Sequence, residues 1–175
     1  MSTEQQVQSS GDKKSDKRQQ VARLGWRLAS RNASDAMATL SSCVRKSGLE
    51  ESLIQLIDIR VSQINGCGYC LDMHTKDARA IGETEQRIYL LSTWREAPLY
   101  TARERAALAW AEALTEVCKT RDVPDEVYND AREHFSESEL VDLSLAIVAI
   151  NGYNRLNVGF RTVPGTYVPK NRKSV

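Results

Sequence analysis

The stretch Glu50-Glu-Ser-Leu-Ile-Gln-Leu-Ile-Asp-Ile-Arg-Val-Ser-Gln-Ile64 decides the fold. Leu53, Leu56, Ile57, Val61 and Ile64 recur three or four residues apart, which gathers them on one face of an α-helix, and the strict alternation of a strand is absent. Asn65-Gly66 breaks the period. Cys67-Gly-Tyr-Cys70-Leu-Asp-Met-His74 resumes it, and the spacing predicts a second helix running to Ile81. Cys70, Met73, His74, Asp77 and Ile81 then share one side, and Gly82 is the stop. The two cysteines therefore belong to the first turn of a helix.

The same period continues outward in both directions. Toward the N-terminus it predicts helices over 21–30 and 34–46, the latter closed by Gly48. Toward the C-terminus, Thr84 caps a short helix ending near Trp94, and Thr101-Ala-Arg-Glu104 is a capping box that opens a long helix to Lys119. Ala106, Trp110, Ala113 and Val117 form its apolar face. Pro124 suits the first turn of a helix ending near Phe135. Ser136-Glu-Ser-Glu139 is a second capping box, preceding the most apolar helix, 140–155, which is expected to be central. The fold class is all-α. A polar tail is expected over 1–20, one helical domain over 21–165 and a basic tail over 166–175.

With 175 residues, 41% of them hydrophobic, the chain can build one core, or a helical unit that completes its core by oligomerising. Its 24 basic and 23 acidic residues nearly cancel, which argues against a nucleic-acid partner. No apolar run is long enough to cross a bilayer, and the first residues lack the apolar segment of a secretory signal, so a cytoplasmic location and no membrane partner are expected. Of the four cysteines, Cys43 and Cys118 sit in helical surroundings and are expected to pack in the core. His134, near a helix end, is read as structural. Cys67 and Cys70 stand apart.

Two cysteines three residues apart on the first turn of a helix bring their sulfurs close enough for a disulfide or a shared metal. The positive end of the helix favours thiolate over thiol. His74 follows Cys70 by four residues and stacks one turn further along the same face. Covalent haem attachment would need the histidine directly after the second cysteine, where Leu71 stands. Structural zinc could take Cys67, Cys70 and His74 but would lack a fourth ligand. Thiol-disulfide or peroxidase chemistry needs a nucleophilic sulfur, a resolving sulfur and a proton donor, and requires no bound cofactor or metal. That is the chemistry this motif fits best.

The run Ile59-Arg-Val-Ser-Gln-Ile-Asn-Gly-Cys-Gly-Tyr-Cys-Leu-Asp-Met-His-Thr-Lys-Asp-Ala-Arg79 resembles the alkylhydroperoxidase D-like branch of the carboxymuconolactone decarboxylase superfamily. The segments 83–96, 100–110 and Val148-Ala-Ile-Asn-Gly-Tyr-Asn-Arg155 are similar to that branch as well, so the likeness covers about residues 35–165. It implies an all-α fold assembling as trimers or hexamers. It also implies a peroxidase acting on small hydroperoxides and fed by a dithiol reductant such as a dihydrolipoyl adaptor protein. By family position, Cys70 attacks the peroxide and becomes a sulfenic acid, Cys67 resolves it as a disulfide, and His74 belongs to the proton relay. Other readings are a non-catalytic thiol-disulfide sensor or partner, or a lactone decarboxylase as in the superfamily's namesake. The latter group does not rely on this dithiol.

Two positions depart from the branch. Where its peroxidases carry a glutamate, twelve residues before the first cysteine, this chain has Gln55, which can hydrogen-bond but cannot accept and deliver a proton. Tyr69 stands where the branch has a histidine between the cysteines. Glu51 and Asp58, one turn either side of Gln55, are the carboxylates that could substitute if they face the dithiol. If the missing carboxylate limits the reaction, Gln55→Glu raises peroxide turnover.

Overall fold

The structure is a computed structural model that describes residues 21–169. The tail expected over 1–20, and residues 170–175 of the C-terminal one, lie outside the described residues. The described chain is helical with no strand. Its elements are α1 (Trp26–Ala29), α2 (Arg31–Arg45), α3 (Glu51–Ile64), α4 (Gly68–Ala80), α5 (Glu85–Leu90), a 3-10 turn (Leu91–Thr93), α6 (Ala102–Thr120), α7 (Asp125–His134) and α8 (Glu137–Gly159).

The helix that opened the sequence reading is the hub of the packing. α3 lies against α4, α6, α8 and the 3-10 turn, and Leu56, Ile57, Ile59 and Val61 lose all contact with solvent. Burial on this scale contributes about 1.5–3 kcal/mol per large aliphatic side chain. Ile54 and Ile59 are buried in addition to the expected stripe, because neighbours cover α3 on several sides at once. α8 also touches α2, α3, α4, α6 and α7 and is central as expected, with one side left outward. Val141 and Val148, one above the other on its outer side, are 68% and 57% exposed.

Capping chemistry sets most boundaries. Both capping boxes form: Thr101 Oγ1 accepts from Glu104 N while Thr101 N donates to Glu104, and Ser136 and Glu139 do the same at α8. The box at Ser136 starts α8 three residues ahead of the expected Leu140, and the helix runs on to Gly159 because Asn154 and Asn157 find buried hydrogen-bond partners in its last turns. The helix expected over 21–30 shrinks to the single turn of α1. Ser30 instead serves as the N-cap of α2, its hydroxyl accepting from Ala33 N at 3.3 Å, so α2 begins three residues earlier than expected. Cys43 and Cys118 are exposed, not packed in the core. Each lies on a helix flank whose inward residues, Val44 of α2 and Thr115 of α6, take the buried positions. Among the described residues, no helix is long and apolar enough to cross a membrane.

Candidate active site

The connection between α3 and α4 builds the dithiol. Gly66 adopts φ +65°, a left-handed conformation that side-chain-bearing residues rarely take, and lets the chain reverse at once. Cys67 N donates to Ser62 O at 3.0 Å, and Cys67 becomes the N-cap of α4. Cys70 follows in the first turn. The two sulfurs lie 2.8 Å apart as free thiols, and both residues are buried.

At that separation the two sulfurs share one proton. The hydrogen bond from Cys70 pulls the Cys67 thiol down to about 7, against the opposing cost of burial. The same contact, reinforced by burial, pushes Cys70 above the ordinary thiol range. The first negative charge of the pair is therefore favoured on Cys67, accepting from the Cys70 thiol, and the two titrate as a unit. Backbone N–H groups of Cys70 and Tyr69, at the start of α4, also donate to Cys67 and favour its thiolate.

The expected face of α4 is the one turned to open space. Cys70, Met73, His74 and Asp77 line a cavity of about 680 Å³, closed on other sides by residues of α2, α3, α8 and the C-terminal segment. Cys67 does not line it. His74 is buried, and burial first, then the Arg45 charge, lowers its pKa to about 3, so the imidazole is neutral across the physiological range. Its Nδ1 lies 3.0 Å from Gln55 Oε1 and 3.3 Å from Asp58 Oδ2. The structure thus brings Cys67, Cys70, His74 and Gln55 together around one end of the cavity. Of the two carboxylates flanking Gln55, Asp58 reaches the histidine. Glu51, at the exposed start of α3, lines the cavity farther along. Tyr69 is half-buried and packs against the core.

Three residues of this neighbourhood are not predicted from the motif. Asn157 Nδ2 donates to Cys70 Sγ at 3.3 Å. Its amide oxygen is held by Trp26 Nε1 at 3.1 Å and Thr162 Oγ1 at 2.9 Å, so the N–H can only point at the sulfur. One turn back, Asn154 Nδ2 donates to Ser62 Oγ at 3.1 Å while its oxygen accepts from Asn65 at 2.9 Å, which ties α8 to the turn that carries Cys67. Beyond residue 165 the chain stays on α4: Tyr167 O accepts from Lys76, and Tyr167 Oη donates to Asp77 at 2.7 Å. The signal for the asparagines was present, since Asn151, Asn154 and Asn157 repeat every three residues along the most apolar helix. Polar side chains repeated there must have buried partners.

Asn157→Ala removes the donor to Cys70 and leaves Trp26 Nε1 and Thr162 Oγ1 without their acceptor. An expected destabilisation of about 1–3 kcal/mol follows from the buried unsatisfied groups, read by thermal or denaturant unfolding, together with slower oxidation of Cys70 by peroxide.

The comparisons with known proteins agree with this architecture. Residues 32–113 match the carboxymuconolactone decarboxylase family. The uncharacterised protein YdfG of Bacillus subtilis is 47% identical over 122 residues, which span 70% of this chain and 82% of YdfG. The chain belongs to the carboxymuconolactone decarboxylase family. Within that family it is an alkylhydroperoxidase D-like member. The crystal structure of an Agrobacterium tumefaciens protein of unknown function, suggested to be the antioxidant defence protein AhpD, superposes with a TM-score of 0.80 at 44% identity, covering 84% of this chain and all of that one. An uncharacterised peroxidase-related protein from Silicibacter sp. TM1040 superposes with a TM-score of 0.67 at 25% identity, over 75% of this chain and 70% of its own. The all-helical fold of this carboxymuconolactone decarboxylase family member is therefore the one its sequence resemblance implies.

Proposed function

We propose that this protein is a dithiol-dependent peroxide reductase. The observation that carries the reading is the placement of Cys70: it lines the cavity, and its sulfur lies 2.8 Å from that of Cys67, which does not line it. A hydroperoxide entering the cavity meets Cys70 alone, and Cys67 is at hand to resolve. Transfer of the shared proton from Cys70 to Cys67 leaves the thiolate on the sulfur facing the substrate, where the Asn157 N–H steadies it. That sulfur takes the outer peroxide oxygen, and Cys67 then displaces it as water and closes the disulfide. His74 belongs to the relay that manages the protons.

Burial also limits the reductant. With both cysteines at 1% exposure or less, a dithiol on the face of another folded protein cannot reach them. A slender dithiol arm can enter the cavity, which favours a dihydrolipoyl group carried by an adaptor protein. The exposed Val141 and Val148 on α8 support assembly as a homo-oligomer, since adjacent apolar residues on a long helix gain by being covered.

The test is turnover of cumene or hydrogen peroxide with dihydrolipoamide as reductant. Sustained consumption of many equivalents per chain is the expected result. Oxidation that stops after one equivalent would leave a thiol-disulfide sensor in place of an enzyme.

A further inference from the structure

A side chain that meets His74 from α3 is an amide, Gln55, and the reaction needs an acid. When the O–O bond of a hydroperoxide breaks, the departing alkoxide must take up a proton. Gln55 has none to give: its Oε1 lies 3.0 Å from His74 Nδ1, a geometry in which the ring N–H donates to the amide oxygen and the exchange ends there. The neutral imidazole has only its one ring proton, already engaged. Another group must hold the proton.

Asp58 is one turn further along α3, on the same side as Gln55. Its Oδ2 lies 3.3 Å from His74 Nδ1, with 13% of its side chain exposed. It lines the same cavity as Cys70. We propose, building on the peroxide-reductase reading, that Asp58 is the general acid of this site: held beside His74 in the wall that carries Cys70, its carboxyl protonates the leaving oxygen as the O–O bond breaks.

The charges around Asp58 suit that role. Burial first, then the Cys70 sulfur once it carries the thiolate charge, with a smaller push from Asp77 on α4, raise its pKa well above the usual carboxylate range. Arg45 on α2 opposes this but does not cancel it. His74, the remaining titratable neighbour, is neutral and adds no positive charge. Arg27, Glu51 and Tyr167 line the same cavity, Tyr167 donating to Asp77 at 2.7 Å. A carboxyl in such surroundings holds its proton to higher pH than an ordinary carboxylate does, the direction a general acid needs.

The cycle closes with this assignment. The reactive form carries Cys67 thiolate, Cys70 thiol and Asp58 carboxyl. The Cys70 proton passes to Cys67, and the Cys70 sulfur forms a bond to the outer oxygen of ROOH as the O–O bond breaks. Cys70 sulfenic acid and RO⁻ result, and Asp58 protonates RO⁻ to ROH. Cys67 then forms the S–S bond, and the sulfenic oxygen leaves with the Cys67 proton as water. Two electrons have passed from the sulfurs to the peroxide, and Asp58 remains as carboxylate. Exchange with a neutral dithiol regenerates the start. One of its two protons returns to Cys70 and the other to Asp58, and its sulfurs leave as a disulfide.

The experiment follows the peroxide step by stopped flow on the reduced full-length protein, with turnover measured in parallel. In the wild type, the rate is expected to fall as pH rises through the raised Asp58 pKa, because the acid form is the active one. Asp58→Asn keeps the shape and polar contact to His74 but not the proton. It should slow the step about 100-fold or more, the usual scale of general acid catalysis, and abolish the alkaline decline. Adding Gln55→Glu to that variant restores a carboxyl next to His74 Nδ1 and should recover much of the rate, which a merely structural role for Asp58 would not allow.

A wild-type protein that turns over peroxide, with Asp58→Asn within about threefold of it and the same pH profile, overturns the assignment. So does a wild-type rate without an alkaline decline, a result that holds whether or not the variant folds. A wild-type protein that never consumes peroxide sinks the peroxide-reductase reading itself, and the two failures are thereby told apart.

Discussion

Cys70→Ser is expected to reduce peroxide turnover to the uncatalysed background, the largest single loss in the molecule. The substitution changes little in volume. Cys70 is buried beside Cys67 and Asn157 at the cavity wall, and a hydroxyl can keep the hydrogen bond from Asn157 Nδ2. What vanishes is the chemistry: a serine oxygen cannot be oxidised by a peroxide or form a bond to Cys67 that a dithiol can cleave. Removing a nucleophile that works as a unit with its partners costs nearly all of the catalysis, on the order of 1,000-fold or more. The check is dihydrolipoamide-coupled turnover alongside a thermal unfolding curve. Persistent turnover in a folded variant would transfer the attacking role to another sulfur.

Cys67→Ser should separate the half-reactions. Cys70 still faces the cavity and can still take the peroxide oxygen, so one equivalent is consumed and a sulfenic acid accumulates, detectable as a dimedone adduct. Multiple turnover is lost because nothing is left to displace the oxygen, and excess peroxide drives Cys70 on to the sulfinic acid. The first step also slows, since the thiolate 2.8 Å away that takes up the Cys70 proton is gone. A Cys67→Ser protein that turns over at the wild-type rate would exclude Cys67 as the resolving residue.

Most of the fold could be read from the sequence because its cues are local. The apolar repeat in α3, the break at Asn65-Gly66 and the two capping boxes each depend on residues within a turn or two, and the structure has all of them. Errors arose where the deciding partner lay far along the chain. Cys43 and Cys118 sit on apolar-periodic helices, but their flanks of α2 and α6 face outward, and facing is decided by which helices pack on either side.

The candidate site divides in the same way. Cys67, Cys70 and His74 were visible because they fall within two turns of one helix. Asn157 was hidden because its donor role depends on α8 crossing α4 some 87 residues later in the chain. Asp58 was visible as a carboxylate one turn from Gln55. That Asp58 meets His74 depends on how α3 packs on α4, which no spacing rule supplies.

The most direct measurement is to treat the reduced protein with one equivalent of hydroperoxide, block the remaining thiols by alkylation and map the cysteines by peptide mass spectrometry. The account predicts one product, a disulfide between Cys67 and Cys70 within a single chain, with Cys43 and Cys118 alkylated. Recovery of Cys67 and Cys70 as alkylated thiols, or a disulfide that draws in Cys43 or Cys118 instead, would contradict it.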